Sequence, residues 1–194
     1  RTRAMRTPGR ESSAAVRATR STTGTWSSPI GEAVKGQTVL VNLKRFGAPL
    51  CPSGRLEYAL SLEETLAHAL RLSRGSPTVA QTWPVVFAKH LAEVDLAKLE
   101  SMACRLGEAP ALGFFLDVLQ RLLPGVSFGA FMERLKAHVP EGMRYFFRLG
   151  QGDLYKALTR SRTPEVASTW GFWMNTDLAD FAACLRKFLP VQKG

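Results

Sequence analysis

The sequence predicts a mainly α-helical protein, with a single helical domain of about seven helices and a small N-terminal β-hairpin. From Ser61 onward, apolar residues recur every three or four positions, which is the period of an α-helix. Hydrophobic residues make up 45% of the 194 residues and charged residues 22%, a balance typical of globular proteins with one buried core. We therefore divide the chain into a disordered basic tail (1–25), an edge that contains the hairpin (26–60) and a helical domain (61–194).

The tail is rich in arginine and lacks a hydrophobic period. Residues 1–25 contain six Arg and one Glu among Ser, Thr, Ala and Gly, which predicts disorder. This segment contributes half of the formal net charge of +10, so the folded part is only mildly basic. The tail also lacks the apolar run of a secretory signal.

The hairpin is predicted from a period of two. Every second position is apolar from Val39 to Leu43 and again from Leu56 to Leu60, which is typical of half-buried strands. The segment between them contains the turn-forming residues Gly47, Pro49, Pro52 and Gly54. A hairpin with a long loop follows from this pattern.

Helix boundaries are indicated by caps and by Pro and Gly. Ser61 and Glu64 form a capping box that begins a helix over 61–73. A second helix begins at Ser76 and Pro77, and Pro84 is expected to kink it or to end it near Thr82. The other predicted helices are 85–90, 94–106, 110–123, 127–139, 153–160, 164–170 and 176–189. Residues 111–123 are apolar nearly all round, which predicts the central buried helix, whereas 143–149 fit either a strand or a helix.

One short motif suggests hydrolase chemistry. Gly125-Val126-Ser127-Phe128-Gly129 matches the G-x-S-x-G pattern, in which a strand precedes the nucleophilic serine. Here a predicted buried helix precedes it, and only His138 follows, without an intervening aspartate. We therefore interpret Gly125 as a helix stop and Ser127 as the N-cap of the next helix.

Cofactor and metal motifs are not found in the sequence. No Cys or His pair has the spacing of metal ligands, and no glycine loop matches a phosphate-binding pattern. The three cysteines, Cys51, Cys104 and Cys184, are widely spaced and are expected to be free thiols in a reducing compartment. We expect no catalytic, cofactor or metal site, although an enzyme whose site is assembled from dispersed residues remains an alternative.

Two aromatic segments are candidates for partner binding. Arg144 to Arg148 interleaves cations with aromatic rings, and a second cluster surrounds Trp170 and Trp173. The candidate partner-binding residues are Arg144, Tyr145, Arg148, Trp170 and Trp173. Burial of the rings in the core, with the arginines outside, is the competing interpretation.

Nucleic-acid binding is a second function hypothesis. Four arginines lie beside predicted helix ends and are candidate phosphate contacts: Arg71, Arg74, Arg160 and Arg162. The basic tail would add to them. A helix-turn-helix over 94–123 is disfavoured, because Ala111–Leu119 lacks the basic groove face of a recognition helix.

The leading hypothesis is a non-enzymatic, cytoplasmic protein that acts by contact with a protein partner. No apolar run approaches the roughly 20 residues of a membrane helix. A bacterial source is expected, because 25 Leu against one Ile and 18 Arg against 8 Lys indicate GC-rich codons. The helical second half resembles helical domains of bacterial abortive-infection antitoxins, which implies an antitoxin, immunity factor or regulator.

Overall fold

The computed structural model describes residues 34–148 and 152–189, and this part of the chain is mainly helical. The predicted basic tail, 1–25, lies outside the described residues. Nine helices and two short strands occupy the described ranges. Their bounds are α1 Gly36–Arg45, α2 Leu62–Ser73, α3 Pro77–Lys89, α4 Leu96–Arg105, α5 Ala109–Leu122, α6 Gly129–Lys136, β1 Arg144–Tyr145, α7 Asp153–Ser161, α8 Glu165–Thr169, β2 Phe172–Trp173 and α9 Leu178–Phe188.

The predicted hairpin is wrong, because its first strand lies within α1. The buried residues of α1 are Thr38, Val39, Asn42 and Leu43, a helical spacing rather than an alternation. The segment that was expected to be the second strand, 56–60, has no strand and is bound by a side chain of α1. The Oδ1 atom of Asn42 accepts a hydrogen bond from the Leu60 backbone N–H (3.0 Å), and its Nδ2 donates to the Tyr58 carbonyl (3.1 Å).

The predicted start of α2 is confirmed, while the expected break in α3 is not. Ser61 and Glu64 form the reciprocal capping box. Helix α3 continues from Pro77 through Pro84 to Lys89. Proline removes one backbone donor, so the Ala80 carbonyl loses its usual helical partner. Burial of Trp83, Val85 and Val86 around the proline favours continuation, because a break there would expose them.

Helix α5 is the central buried helix, as the sequence predicted. Every residue from Ala109 to Leu119 is buried, and α5 packs against α2, α3, α4, α6, α8 and α9. Its Phe114 and Phe115 rings contact a group of aromatic side chains from other elements, namely Trp83, Phe146, Phe172 and Phe181.

The ambiguous segment 143–149 contains a strand. Strand β1 pairs in parallel with β2, with Arg144 opposite Phe172 and Tyr145 opposite Trp173. The Phe146 and Phe147 side chains that follow are buried. The two-residue pair is therefore held in place mainly by the aromatic core beneath it.

Ser127 lies between two helices, which is not the context of a hydrolase elbow. Its predicted role as N-cap is also wrong, since α6 begins after Phe128 without a side-chain cap. The Gln120 Oε1 atom instead accepts the Phe128 backbone N–H (2.9 Å). Gly125, with φ of +78°, does form the turn after α5.

Each described helix is too short or too polar to cross a bilayer.

Candidate partner-binding surface

The β1–β2 pair separates the candidate residues onto two faces. Side chains of neighbouring residues in a strand point to opposite sides, and directly paired residues share a side. Tyr145 and Trp173 therefore lie on one face, and Arg144 and Phe172 lie on the other.

The first face carries what we call the Arg160 cluster, which consists of Tyr145, Arg160 and Trp173. The rings of Tyr145 and Trp173 are half-buried, with centroids 5.0 Å apart. The exposed Arg160 side chain reaches them from α7. Its Cζ atom lies 4.6 Å from the Trp173 ring centroid, and its Nε donates to the Tyr145 hydroxyl (2.9 Å). The cluster thus presents a cation that two aromatic side chains hold in place.

The second face carries what we call the Glu108 site, which consists of Arg74, Glu108, Arg144 and Arg148. Arg74 is only 2% exposed. Its Nε donates to the Phe146 carbonyl (2.5 Å), its Nη2 to the Tyr145 carbonyl (3.0 Å) and its Nη1 to Glu108 Oε2 (3.3 Å). Burial lowers the pKa of Arg74 to about 10; the negative Glu108 opposes this shift, and the positive Arg148 and Arg144 add to it.

Glu108 is shared by two arginines. Its buried Oε1 atom accepts a hydrogen bond from Arg148 Nη2 (2.7 Å), while Oε2 faces Arg74. Arg144 is not hydrogen-bonded to Glu108. Its guanidinium lies over the Phe172 ring, 5.2 Å from the centroid, and its Nε is closed to solvent with no hydrogen-bond partner. One carboxylate thus pairs with two guanidinium groups, while the third, from Arg144, is left without a hydrogen-bonded counter-charge among the described residues.

Helix α7 presents apolar side chains to solvent. Leu154 is 86% exposed and Leu158 is 40% exposed, and the intervening Ala157 is also exposed. These three residues lie on one side of the helix, and we call them the Leu154 stripe. The only buried residue of α7 is Thr159, whose hydroxyl has no hydrogen-bond partner. The helix therefore turns a polar residue inward and leucines outward, which reverses the usual amphipathic arrangement.

The structure brings together most of the predicted binding residues. Arg144, Tyr145, Arg148 and Trp173 lie on or beside the strand pair, and Arg160 joins them from α7. Arg71 and Arg162 are exposed, and their side chains form no ion pair with any carboxylate that the structure describes.

Sequence reasoning missed Glu108, Leu154 and Leu158. The i, i+4 spacing of the two leucines was a visible signal, but it is equally typical of a buried face.

Two predicted residues are unavailable for surface contacts because they are buried. Trp170 is fully buried, and its Nε1 donates to Asp117 Oδ2 (3.1 Å). Its ring packs against Gly113, where any side chain would collide with it. Arg74, expected to contact phosphate, is enclosed with Glu108 as its counter-charge. Both side chains belong to the interior rather than to the candidate surface.

A cysteine and a histidine meet outside this surface. Cys104 Sγ lies 3.5 Å from His138 Nε2, and His138 is exposed. Burial and the nearby negative charge of Glu100 raise the pKa of the Cys104 thiol. A raised pKa keeps the thiol protonated and weakens it as a nucleophile.

The described residues do not form a cluster of three or more His, Cys, Asp or Glu side chains that could hold a metal ion. The described residues line, among others, two open and mainly apolar grooves of about 400 and 550 Å³, one between α1, α2 and α3 and one between α5 and α9. Neither groove includes Cys104, Ser127 or His138.

Comparisons with known proteins found no matching family model, no matching curated protein and no matching solved structure.

Proposed function

We propose that this chain is a non-enzymatic protein that acts by binding a partner protein through α7 and the Arg160 cluster. In this proposal it functions in the manner of an antitoxin, immunity factor or regulator in the bacterial cytoplasm. The surface consists of the Leu154 stripe together with Tyr145, Arg160 and Trp173.

The reversed orientation of α7 is the observation that carries the proposal. A helix that exposes leucines loses the free energy that their burial would provide, roughly 1.5–3 kcal/mol for a fully buried leucine. Binding a partner would recover part of it. Tyrosine, tryptophan and arginine, the residue types of the adjacent cluster, are also those that dominate the energetics of protein interfaces.

The charges beside the stripe indicate the kind of partner. Arg160 and Arg162 lie at the C-terminal end of α7, and neither forms an ion pair within the described ranges. An acidic protein surface would complement them. We therefore propose a partner that presents apolar side chains bordered by carboxylates.

The test is affinity capture with matched variants. The parent protein is tagged, expressed in the cells that make it and purified beside two variants, the double variant Leu154→Ser, Leu158→Ser and the control Leu56→Ser. Leu56 is also an exposed leucine, 43% accessible, but it lies outside α7. We expect a partner to co-purify with the parent and the control, and its recovery to fall at least tenfold with the double variant.

Three results would overturn this proposal. The first is a parent protein that purifies alone at the concentration at which it is made. The second is equal recovery of the partner with all three proteins. The third is a stripe that pairs two copies of this chain, which sedimentation would detect as a dimer that the double variant loses.

Nucleic-acid binding remains the alternative, favoured by the combination of Arg160 with two half-buried rings. A single-stranded polynucleotide could stack a base on such rings while arginines contact its phosphates. The protein interface is preferred because Arg160 already covers the Trp173 ring at 4.6 Å.

A further inference from the structure

The Glu108 site has more positive than negative charge. The guanidinium groups of Arg74 and Arg148 bind the single Glu108 carboxylate, and the positive charge of Arg144 acts on Arg74 beside them. Both oxygens of Glu108 are already engaged, one by each of Arg74 and Arg148. An additional negative group near Arg144 would therefore reduce the repulsion among the three guanidinium groups. It would not have to displace Arg74 or Arg148 from Glu108.

Arg144 is the group left without an acceptor. Its Nε is buried, and no atom of the described chain accepts a hydrogen bond from it. One side of its guanidinium faces the Phe172 ring. The residue is nevertheless half-exposed, so the outer edge of the guanidinium is the part open to an incoming group. The positive charge of Arg144, rather than its enclosed Nε, is therefore what an incoming anion at this edge would compensate.

We propose that Arg144 binds a carboxylate of the partner protein, from an aspartate or glutamate side chain. This inference rests on the proposed function, since it assigns one contact of the same partner. A carboxylate is planar and can meet the outer edge of a guanidinium with two oxygens in the same plane. Arg148 already binds a carboxylate through one such contact, since its Nη2 donates to Glu108 Oε1 at 2.7 Å.

The direct test uses small anions and the full-length protein. Sodium acetate is added at constant ionic strength, with sodium chloride as the balancing salt, while nuclear magnetic resonance follows the arginine Nε–H signals. The Arg144 signal is assigned by its loss in Arg144→Lys. We expect it to shift and saturate at roughly 10–100 mM acetate, the range of a single exposed ion pair, while chloride alone leaves it unchanged.

A stability measurement supplies the second readout. Acetate should raise the thermal midpoint of the parent protein and of Arg55→Gln, a control that removes an exposed arginine outside the site and outside the proposed interface. The acetate-dependent gain should disappear in Arg144→Gln. Each variant is compared with itself in chloride, so a change in its basal stability does not affect the result.

Several outcomes would overturn the inference. One is an Arg144 signal that fails to saturate with acetate. Another is an acetate-dependent rise in the thermal midpoint of Arg144→Gln that equals the rise in the parent protein. A response to sodium phosphate in the absence of any response to acetate would assign the site to phosphate and would contradict a carboxylate ligand.

Failure here is distinguishable from failure of the proposed function. If partner capture depends on the Leu154 stripe but not on Arg144, the interface stands and only the carboxylate contact is rejected. If acetate binds at Arg144 but the stripe variants capture the partner normally, the proposed interface is rejected. If partner capture depends on the Leu154 stripe and acetate also binds at Arg144, we expect Arg144→Gln to weaken capture of the partner by roughly tenfold, as expected for one charged contact.

Discussion

At the scale of single residues, Glu108 supplies the negative charge that compensates the buried guanidinium of Arg74. Replacing it by Gln removes the counter-charge of a guanidinium that is 2% exposed but keeps the side-chain shape. We expect Glu108→Gln to lower the free energy of unfolding by about 3 kcal/mol, the usual cost of an uncompensated buried charge. Urea titration measures this value. Glu133→Gln, which breaks an exposed pair with Lys136, should change the stability little; equal losses in the two variants would contradict the assignment.

Gly113 is required by the packing of Trp170 against α5. A methyl group at this position would overlap the Cζ3 atom of the Trp170 ring, so the ring would have to move away from Asp117. We expect Gly113→Ala to destabilise the fold by about 3 kcal/mol, at the upper end of overpacking costs. Gly129→Ala is the matched control, because nothing lies within 4 Å of its Cβ position. Thermal denaturation should give a clearly lower midpoint for Gly113→Ala than for Gly129→Ala.

His68 predicts a dependence of stability on pH. Burial lowers its pKa below the ordinary value of 6.5, and the positive Arg71 adds to this shift against the opposing Glu64. The unfolded chain therefore takes up a proton first as the pH falls through 6.5, so acid favours unfolding. We expect a lower denaturant midpoint at pH 5.5 than at pH 7.5, and a smaller difference in His68→Gln. An unchanged difference in that variant would assign the effect to other groups.

At the scale of elements, α1 shows how a local pattern can mislead. Val39, Val41 and Leu43 alternate, which is typical of a strand. The residues that are buried are Thr38, Val39, Asn42 and Leu43, and these four have the spacing of a helix. The decisive residue is Asn42, because its amide satisfies the backbone of residues 58 and 60 without a strand partner. In the apparent alternation from Val39 to Leu43, Asn42 lies between two apolar residues, and its long-range partners are not visible in the sequence.

Removal of the Asn42 amide should loosen α1 from the segment that precedes α2. In Asn42→Ala the Leu60 N–H and the Tyr58 carbonyl lose their partners within the protein. We expect a loss of about 2 kcal/mol, typical of buried polar groups left unsatisfied. Lys44→Ala, at an exposed position of the same helix, serves as control. Hydrogen exchange should show faster exchange at the Leu60 amide in Asn42→Ala alone.

Other elements were predictable because their signals are local. The capping box at Ser61 acts within one turn, and the apolar run of α5 is long enough to specify burial on all sides. Pro84 was misleading for the opposite reason. Its steric cost is local, whereas the burial of Trp83 and its neighbours, which favours a continuous helix, depends on the whole core.

At the scale of the whole molecule, the candidate surface combines residues that are distant in sequence. The pairing of Arg144 with Phe172 and of Tyr145 with Trp173 is a parallel contact between strands of two residues each, too short to carry a periodic signal. The sequence therefore identified Arg144, Tyr145 and Trp173 as candidates but could not indicate their faces. Burial of Trp170 and Arg74 depends equally on the assembled core.

The net charge of +10 leads to a prediction that separates the two kinds of partner. Any protein of this charge should bind a polyanion such as poly-dT at low salt, through contacts that release counterions. We expect that binding to weaken by about 100-fold or more between 50 and 300 mM sodium chloride. Partner retention should persist at 300 mM, because burial of leucines is not screened by salt.

The double variant Leu154→Ser, Leu158→Ser provides the control for this comparison. It leaves every charge in place, so its affinity for poly-dT at 50 mM should match that of the parent, measured by fluorescence anisotropy. Its partner should nevertheless be lost at both salt concentrations. Suppose instead that poly-dT binding survives 300 mM salt and disappears in Tyr145→Ala. The Arg160 cluster would then be a base-stacking site, because stacking on an aromatic ring, unlike phosphate contact alone, depends on that particular side chain.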